Sequence, residues 1–382
     1  MPIYLDNNAT TPLDERVLEA MLPYLKEHFG NPSSTTHAYG WTAAAAVDVA
    51  REELAEAIGA SPEELTFTGG ATESDNLALL GLLRPGDHLV TAATEHEAIL
   101  ESAHHLACAG VRVTVLPVDG YGVVSPDALD EAVEPETKLV SVMLANNETG
   151  TINSMRELVE IAHERGVAFH TDAAQALAKI PLDVEELGVD MLSVSAHKCY
   201  GPKGVGALYV RRRPTPGVQR VRLEPLLRGG GQERGSRSGT LNVPGIVGLG
   251  RAASVGAAAL PEEAERISGL RDELFAHLRA SVPGVRLNGH PEQRLPGTLN
   301  VSFPGLDVGE LLGALPEVAA SAGSACASLK AGSSHVLEAM GLADERAATL
   351  RFGLGRFTTP DEIERAAGLV VRAAGELEAS VT

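Results

Sequence analysis

The sequence is poor in cysteine, in aromatic residues and in positive charge. The shortages of cysteine and of positive charge each exclude a class of protein. Three cysteines in 382 residues cannot build a disulfide framework, and an odd number leaves at least one free thiol, which predicts a reducing compartment. Aromatic residues make up 4% of the chain. Lys and Arg number 31 against 51 Asp and Glu, and the resulting net charge of -20 would repel nucleic acid and anionic membranes. We therefore expect no nucleic acid and no membrane as partners.

The amino terminus has neither the basic nor the apolar segment of a signal peptide, and no run of 18 apolar residues follows. We therefore expect a cytoplasmic protein. Hydrophobic residues at 44% and charged residues at 21% are typical of a globular chain, and the length predicts two domains.

Strand and helix patterns alternate between about residues 42 and 210, which is typical of a parallel sheet covered by helices. The predicted strands span 65–68, 88–92, 111–117, 139–145, 167–171 and 191–195. The predicted helices span 43–58, 97–109 and 155–165. A glycine-rich loop at 229–240, a long helix at 243–280, a strand at 298–303 and a helix at 333–340 follow. We expect a large α/β domain over 15–255 and a smaller α+β domain from 1–14 plus 256–382.

Lys198, one of only six lysines, has a setting that indicates chemistry. It follows the predicted strand 191–195 at the carboxyl end, where open α/β sheets bind their ligands. Asp172 ends the preceding strand, so both side chains are expected in one crevice. Pyridoxal phosphate needs this pair, because a lysine can hold its aldehyde as an imine and a carboxylate keeps its pyridine nitrogen protonated. A solvated surface lysine is the ordinary alternative.

A phosphate site is indicated by the glycine turn that opens the next predicted helix. Ala71 and Thr72 follow Gly70 there, and the exposed N–H groups and dipole of a helix start suit a dianion. Ser195 and His197, on either side of an alanine before the lysine, add polar side chains. A glycine turn alone is weak support, since most such turns bind nothing.

Two further patterns are weaker. His104 and Cys108 are spaced i, i+4 and could share a metal, but two ligands do not close a site, so we expect a packed helix face and no metal. Residues 248–253 match Gly-x-Gly-x-x-Ala, the dinucleotide fingerprint, yet a proline and a glycine precede them instead of a strand. Cys199 is expected to be a packing residue.

The chain resembles, nearly end to end, the NifS- and IscS-like cysteine desulfurases of the class V aminotransferase superfamily. The resemblance begins with Asp-Asn-Asn-Ala-Thr-Thr-Pro and ends with Arg-Phe-Gly-Leu-Gly-Arg-Phe-Thr. The motifs that carry it lie, in order, at residues 6–12, 30–34, 67–76, 94–96, 146–150, 170–175, 195–198, 237–240, 323–326 and 351–358.

The resemblance implies a homodimer of fold type I that binds pyridoxal phosphate. It implies a cofactor site formed by Ala71, Thr72, His96, Asn147, Asp172, Gln175, Ser195, His197, Lys198 and Thr240. Of these, His96 would stack on the ring and shuttle protons, Gln175 would hold the phenolic oxygen, and Thr240 would come from the other subunit. Arg351, with Asn147, would bind the substrate carboxylate, a role that the bidentate guanidinium suits.

The resemblance also implies that Cys326 is the nucleophile. It would take sulfur from L-cysteine as a persulfide, leave L-alanine, and pass the sulfur to an acceptor protein such as an iron–sulfur scaffold. The glycine- and serine-rich sequence around Cys326 predicts an exposed loop. An aminotransferase or a cysteine or selenocysteine lyase would keep the cofactor without needing Cys326, and a non-catalytic scaffold would not need Lys198, Asp172 and His96.

Overall fold

The structure, a computed structural model, describes residues 2–323, 334–344 and 347–381. Its strands are β1 (Ile3–Tyr4), β2 (Leu65–Thr68), β3 (His88–Ala92), β4 (Arg112–Leu116), β5 (Thr137–Ser141), β6 (Ala168–Asp172), β7 (Met191–Ser195), β8 (Gly206–Val210), β9 (Arg286–Asn288), β10 (Thr298–Pro304), β11 (Val318–Ala319) and β12 (Ala347–Gly353). Its α-helices are α1 (Glu15–Lys26), α2 (Ala38–Ala57), α3 (Ala71–Leu82), α4 (Glu97–Cys108), α5 (Pro126–Ala132), α6 (Met155–Glu164), α7 (Val184–Leu187), α8 (Val243–Ser281), α9 (Val308–Gly313), α10 (His335–Ala339) and α11 (Pro360–Val381).

The central sheet has seven strands in the order β2-β8-β7-β6-β5-β3-β4. β8 is antiparallel to both of its neighbours, and the other neighbouring strands are parallel. β3, β6 and β7 are buried along their whole length, as expected for a sheet with helices on both faces. The predicted α/β fold with a mainly parallel sheet is confirmed.

Helices cover the two faces of this sheet through separate hydrophobic clusters. Leu89 and Val90 are neighbours in β3 and therefore point to opposite faces, and they belong to different clusters. The cluster of Val90 includes Leu54 of α2 and Leu158 of α6. The cluster of Leu89 includes Leu79 of α3 and residues of α4. Each such leucine stabilises the fold by about 2 kcal/mol through burial, so the sheet is a rigid support for the residues at its edge.

A third hydrophobic cluster combines the amino-terminal strand with the last third of the chain. Ile3 and Leu5 pack there with residues between 267 and 374. The strands of this region form an antiparallel sheet in the order β12-β10-β9 and a parallel pair of β1 with β11. Helix α8 passes through the predicted domain boundary at residue 255 and reaches both regions, with Leu249 in the first cluster and Leu274 in the third.

Helix α8 is long and apolar enough to cross a membrane by length and composition alone, with a mean hydropathy of 1.4 over its most apolar stretch. Of that stretch, 56% is buried inside the protein, and Ile246, Leu249 and Ala253 of the helix belong to the first hydrophobic cluster. This burial is typical of a core helix.

Candidate active site

Most of the predicted site residues meet in one cavity at the carboxyl ends of β6 and β7. The cavity has a volume of about 840 Å³. Asp172 is the last residue of β6, and Ser195 is the last residue of β7. A single 3-10 turn, Ala196–Lys198, then carries Lys198 to the cavity wall. The crevice that the sequence predicted from strand order is thus present in the structure.

Lys198 Nζ donates to the backbone oxygens of Asn8 and Ala9, at 2.6 and 2.8 Å. A backbone hydrogen bond from the N–H of Thr11 to the oxygen of His197 also connects the amino-terminal segment to this turn. Asn8 lines the cavity, and its side chain donates to the oxygen of Asn147 and to Thr298 Oγ1. The amino-terminal segment therefore forms one wall of the site, a role that the sequence analysis did not assign to it.

Asp172 brings a buried carboxylate to the cavity. Its Oδ1 accepts a hydrogen bond from the backbone N–H of Ala174 at 2.8 Å. Burial raises its pKa, and that hydrogen bond and the neighbouring side chains of His96 and Lys198 oppose the rise. A cationic partner in the cavity would therefore favour the ionised carboxylate.

The glycine turn before α3 lines the cavity through Gly69 and Gly70. Gly70 has a φ of 150° and no side-chain cap bonds the start of α3, so the first N–H groups of this 12-residue helix are available to a ligand. Ala71, Thr72, Ser195 and His197 also line the cavity. Burial and neighbouring lysines lower the pKa of His197 to about 4, so its ring is neutral at pH 7.

His96 caps helix α4 with its own ring. Its Nδ1 accepts a hydrogen bond from the N–H of Ala98 at 3.1 Å. An accepting Nδ1 carries no proton, which puts the proton of the neutral ring on Nε2. The ring lines the cavity, so the capping bond fixes both its position and its tautomer there.

Arg351, on β12, reaches the cavity with a side chain that is 1% exposed. Its Nη1 donates to the oxygen of Asn147 at 3.0 Å, and its Nη2 donates to Asp6 Oδ1 at 2.8 Å and Ser321 Oγ at 3.1 Å. Its Nε has no partner among the described residues. A buried guanidinium with a donor to spare suits an anionic ligand.

Three buried carboxyl groups surround this end of the sheet: Asp172, Asp75 and Glu95. Asp75, on α3, lines the cavity, and Glu95 accepts a hydrogen bond from the N–H of Met143 at 2.7 Å. Burial raises the pKa of Asp75 and of Glu95 well above their usual range, and the charge of Asp172 adds to each rise. This cluster was not predicted from the sequence, because its members come from three separate segments of the chain.

Of the predicted site residues that the structure describes, all but Thr240 line the cavity. Those that line it are Ala71, Thr72, His96, Asn147, Asp172, Gln175, Ser195, His197, Lys198 and Arg351. Thr240 is exposed at the end of the glycine-rich loop and does not line the cavity of its own chain. Cys326 lies outside the described residues.

The two cysteines that the structure describes differ in environment. Cys199 is buried, as predicted, and burial raises its pKa to about 12. Cys108 is exposed, so the prediction of a packed helix face was wrong. The buried stripe of α4 runs through Ile99 and Leu106, and Cys108, two residues later, points away from it. No metal-binding group of three or more His, Cys, Asp or Glu occurs in the described parts of the chain.

Comparison with known proteins gives a consistent result. Residues 3–366 match the family model described as aminotransferase class-V. A protein named cysteine desulfurase IscS, from Anaeromyxobacter sp. (strain Fw109-5), is 51% identical over 376 residues, which cover 97% of this chain and 92% of that protein. A solved NifS-like protein superimposes with a TM-score of 0.91 at 38% identity and covers 99% of this chain and 100% of its own. A structure described as SspA in complex with cysteine has a TM-score of 0.80 at 37% identity, over 93% of this chain and 99% of its own.

Proposed function

This chain belongs to the aminotransferase class-V family, whose members depend on pyridoxal phosphate, and it is a cysteine desulfurase; from that premise we propose how its cavity removes sulfur from L-cysteine. The observation that carries the proposal is the meeting of Lys198, Asp172 and Arg351 in one cavity. The first two suit the cofactor, and the third suits the carboxylate of an amino acid.

The residues of the cavity fit pyridoxal phosphate. The uncapped start of α3 and the turn at Gly70 offer N–H groups to a phosphate, and a Cβ on Gly206 would come within 2.7 Å of the backbone of Gly70 and fill the space behind that turn. Lys198 would hold the cofactor covalently, and Asp172 would bind its ring nitrogen. When bound, pyridoxal phosphate withdraws electrons and stabilises negative charge on the carbon beside the substrate's amino group.

The substrate carboxylate is proposed to bind Arg351. Asp6 and Ser321 hold one end of the guanidinium, and the backbone oxygen of Asn147 accepts from Nη1. These bonds fix the plane of the guanidinium before any ligand arrives, so little side-chain entropy is lost on binding. Nη1 carries two hydrogens and gives one to Asn147, so the other is a donor that this arrangement leaves for a carboxylate.

Proton transfer is assigned to His96 and Lys198. The capping bond to Ala98 leaves Nε2 of His96 as the nitrogen that exchanges a proton. Lys198 Nζ has the oxygens of Asn8 and Ala9 within hydrogen-bond distance, and these would hold the free amine in place between proton transfers.

Cys326 is proposed to accept the sulfur. Its Sγ forms a bond to the sulfur of L-cysteine, the substrate C–S bond breaks with its electron pair left on carbon, and carbon takes a proton to become the methyl group of L-alanine. The described residues on either side support this assignment. Ser334 Oγ donates to Glu148 Oε2 at 2.6 Å, a Cβ on Gly323 would lie 3.3 Å from the same oxygen, and Glu148 adjoins Asn147 of the cavity.

The proposal extends to a homodimer and to an acceptor of the sulfur. Thr240 is exposed, which is compatible with a contribution to the phosphate site of a second subunit. We further propose that the persulfide sulfur is passed to an acceptor such as an iron–sulfur scaffold protein.

Incubation of the holoenzyme with L-cysteine and a reductant tests the proposal, with sulfide and alanine measured in the same sample. We expect the two products in equal amounts, and Cys326→Ser should bind pyridoxal phosphate normally yet release almost no sulfide, because a serine hydroxyl does not attack sulfur. Cys108→Ser is the matched control and should retain activity. Full activity of Cys326→Ser, or a persulfide found by mass spectrometry on Cys199, would contradict the assignment. Pyruvate or a transamination product in place of alanine would favour a lyase or an aminotransferase.

A further inference from the structure

We propose that Lys179 is a positioning residue that sets the direction of the Gln175 side-chain amide, so that an amide N–H group faces the cofactor cavity. The inference rests on the proposed function, in which Gln175 donates to the cofactor. It concerns a lysine that has no place in the chemistry described above.

The amide of Gln175 is held from two sides. Lys179 Nζ donates to Gln175 Oε1 at 2.6 Å, and Gln175 Nε2 donates to the backbone oxygen of Asn8 at 2.9 Å. The backbone oxygen of Asn8 can only accept, and Lys179 in its protonated form can only donate. If the amide were turned over, two donors would face each other at one end and two acceptors at the other. The neighbours therefore allow one orientation.

This orientation determines what Gln175 offers to a ligand. The amide nitrogen carries two hydrogens, and one of them is used by the oxygen of Asn8. The side chain is 4% exposed and lines the cavity together with Asp172 and Lys198. The second N–H is therefore suited to an oxygen acceptor on a ligand in the cavity. Without Lys179, the amide could turn its Oε1 toward such an acceptor and repel it.

Burial of the charged Lys179 side chain at this position also costs free energy. Burial, together with the nearby charges of Lys198 and Arg351, lowers its pKa to about 7, against an opposing contribution from Cys199. An apolar side chain of similar length, such as methionine, would fill the space without that cost. The hydrogen bond to Gln175 Oε1 is the interaction that methionine could not make.

A double-mutant cycle on the apoprotein tests the proposal, with the affinity for pyridoxal phosphate as the readout. The four proteins are wild type, Lys179→Met, Gln175→Ala and the double variant, each titrated with the cofactor by absorbance. We expect Lys179→Met to weaken binding about fivefold, the typical effect of one hydrogen bond, and Gln175→Ala to weaken it at least as much. The double variant should bind no more weakly than Gln175→Ala, because Lys179 acts through the amide.

The controls separate this role from a general loss of structure. Lys138→Met removes a lysine that donates to Gln219 at the surface, and it should leave the affinity unchanged. If Lys179→Met does not fold, Lys179→Gln, whose shorter side chain cannot reach Oε1, takes its place in the cycle.

Two results would overturn the inference while leaving the cofactor site intact: unchanged affinity in the variant at position 179, or losses that multiply in the double variant. Unchanged affinity in Gln175→Ala would overturn the proposed role of Gln175 and this inference with it.

Discussion

At the scale of single residues, the substrate clamp depends on the shape of Arg351 as well as on its charge. Its guanidinium donates to Asn147, Asp6 and Ser321 at the same time, and it leaves Nε–H unpaired among the described residues. A lysine ammonium is a point charge on a flexible chain and cannot keep these bonds while facing a carboxylate.

Arg351→Lys is therefore expected to raise the KM for L-cysteine about tenfold or more and to change the affinity for pyridoxal phosphate less than twofold. Steady-state kinetics and cofactor titration measure the two effects. Arg294→Lys is the matched control, since Arg294 is a buried arginine that donates to the backbone oxygens of Thr149 and Thr298 and does not line the cavity. It should lower the melting temperature without raising KM. An unchanged KM in Arg351→Lys would remove this residue from the carboxylate site.

Asp75 is a second residue whose environment has a measurable consequence. Its side chain is fully buried, and neither oxygen has a hydrogen-bond partner among the described residues. The nearest base is His170, whose Nε2 lies 3.7 Å away, but burial lowers the pKa of His170 to about 3 and leaves it neutral. Burial and the charge of Asp172 raise the pKa of Asp75, and the hydroxyl of Ser193 opposes that rise without cancelling it.

A carboxyl group whose pKa is raised on folding contributes stability below its unfolded pKa, and that contribution is lost as the pH rises through the folded pKa. Asp75→Asn removes the ionisable group. The melting temperature of the variant apoprotein, relative to wild type, should therefore increase between pH 5 and pH 9, by about 1–2 °C for roughly 1 kcal/mol. Asp48→Asn, at an exposed position of α2, should show no such trend. A difference that is constant or falls with pH would contradict the buried, protonated carboxyl.

At the scale of secondary structure, the strands that precede site residues in the chain were predicted most accurately. The bounds of β2, β3 and β7 agree with the predicted ranges, because each is a short apolar segment next to a glycine or polar turn. Lys198 and Asp172 were predicted to meet from strand order alone, and both line the cavity. Parallel topology brings the carboxyl ends of neighbouring strands together, so this part of the site needed no long-range information.

Other elements depended on contacts that no local pattern carries. Helix α2 begins at residue 38, five residues before the predicted start, because the ring of His37 caps it at Gly40 and histidine is an unusual cap. Strand β8 follows a glycine-rich turn and was not predicted. The side chain of Asn8 donates to Asn147 and Thr298, which lie more than 130 residues away in the sequence. Sequence periodicity does not encode such contacts.

Strand β8 packs through a glycine against the turn at Gly70, which is proposed to bind the phosphate. A Cβ on Gly206 would lie 2.5 Å from the oxygen of Val194 and 2.7 Å from the backbone of Gly70, closer than real contacts allow. Both obstacles are backbone atoms of neighbouring elements, so they cannot move without shifting the sheet or the turn. The strand edge and the turn before α3 are thus packed against each other at this point.

Gly206→Ala is accordingly expected to lower the free energy of unfolding by about 1–3 kcal/mol and to weaken pyridoxal phosphate binding. Chemical denaturation and cofactor titration measure the two losses. Gly269→Ala is the control, because Gly269 lies in α8 with nothing within 4 Å of its Cβ position. That variant should gain up to about 1 kcal/mol from improved helix propensity. A Gly206→Ala protein with unchanged stability would show that the turn and the strand are not in contact as described.

At the scale of the whole molecule, we keep the division into a large domain, 15–255, and a small domain, 1–14 plus 256–382, as a proposal. The third hydrophobic cluster, which includes Ile3 and Leu5 with residues between 267 and 374, supports it. Arg351 belongs to the proposed small domain and Lys198 to the large one. The substrate and the cofactor would then be held by different domains.

The surface near the amino-terminal end of α2 supports the proposed homodimer. Phe29, Tyr39 and Trp41 are 71%, 57% and 59% exposed, and the rings of Phe29 and Tyr39 are 5.5 Å apart. A group of exposed aromatic rings marks an interaction site, since water is a poor environment for them. The net charge of -20 opposes association of two copies, so the apolar contact must outweigh that repulsion.

The glycine-rich loop that ends in Thr240 is firmly anchored within its own subunit. Glu233 forms a buried ion pair with Arg51, at 2.6 Å between Oε1 and Nη2. Arg237 pairs with Glu73, which follows Thr72 of the proposed phosphate site. The loop therefore links the cofactor cavity of one chain to an exposed threonine that could complete the site of another.

If Thr240 completes the phosphate site of the second subunit, dimer dissociation and cofactor loss are coupled by mass action. Trp41→Asp places a charge in the aromatic group and should shift the protein toward monomer in sedimentation experiments, with an affinity for pyridoxal phosphate about tenfold weaker at concentrations where the dimer is lost. Thr240→Ala should weaken cofactor binding while leaving the dimer intact. Tyr121→Asp changes an aromatic residue that is 51% exposed elsewhere on the surface and should alter neither property. A Trp41→Asp monomer that binds the cofactor as tightly as the wild-type dimer would show that each subunit holds a complete site, and the role of Thr240 would be wrong.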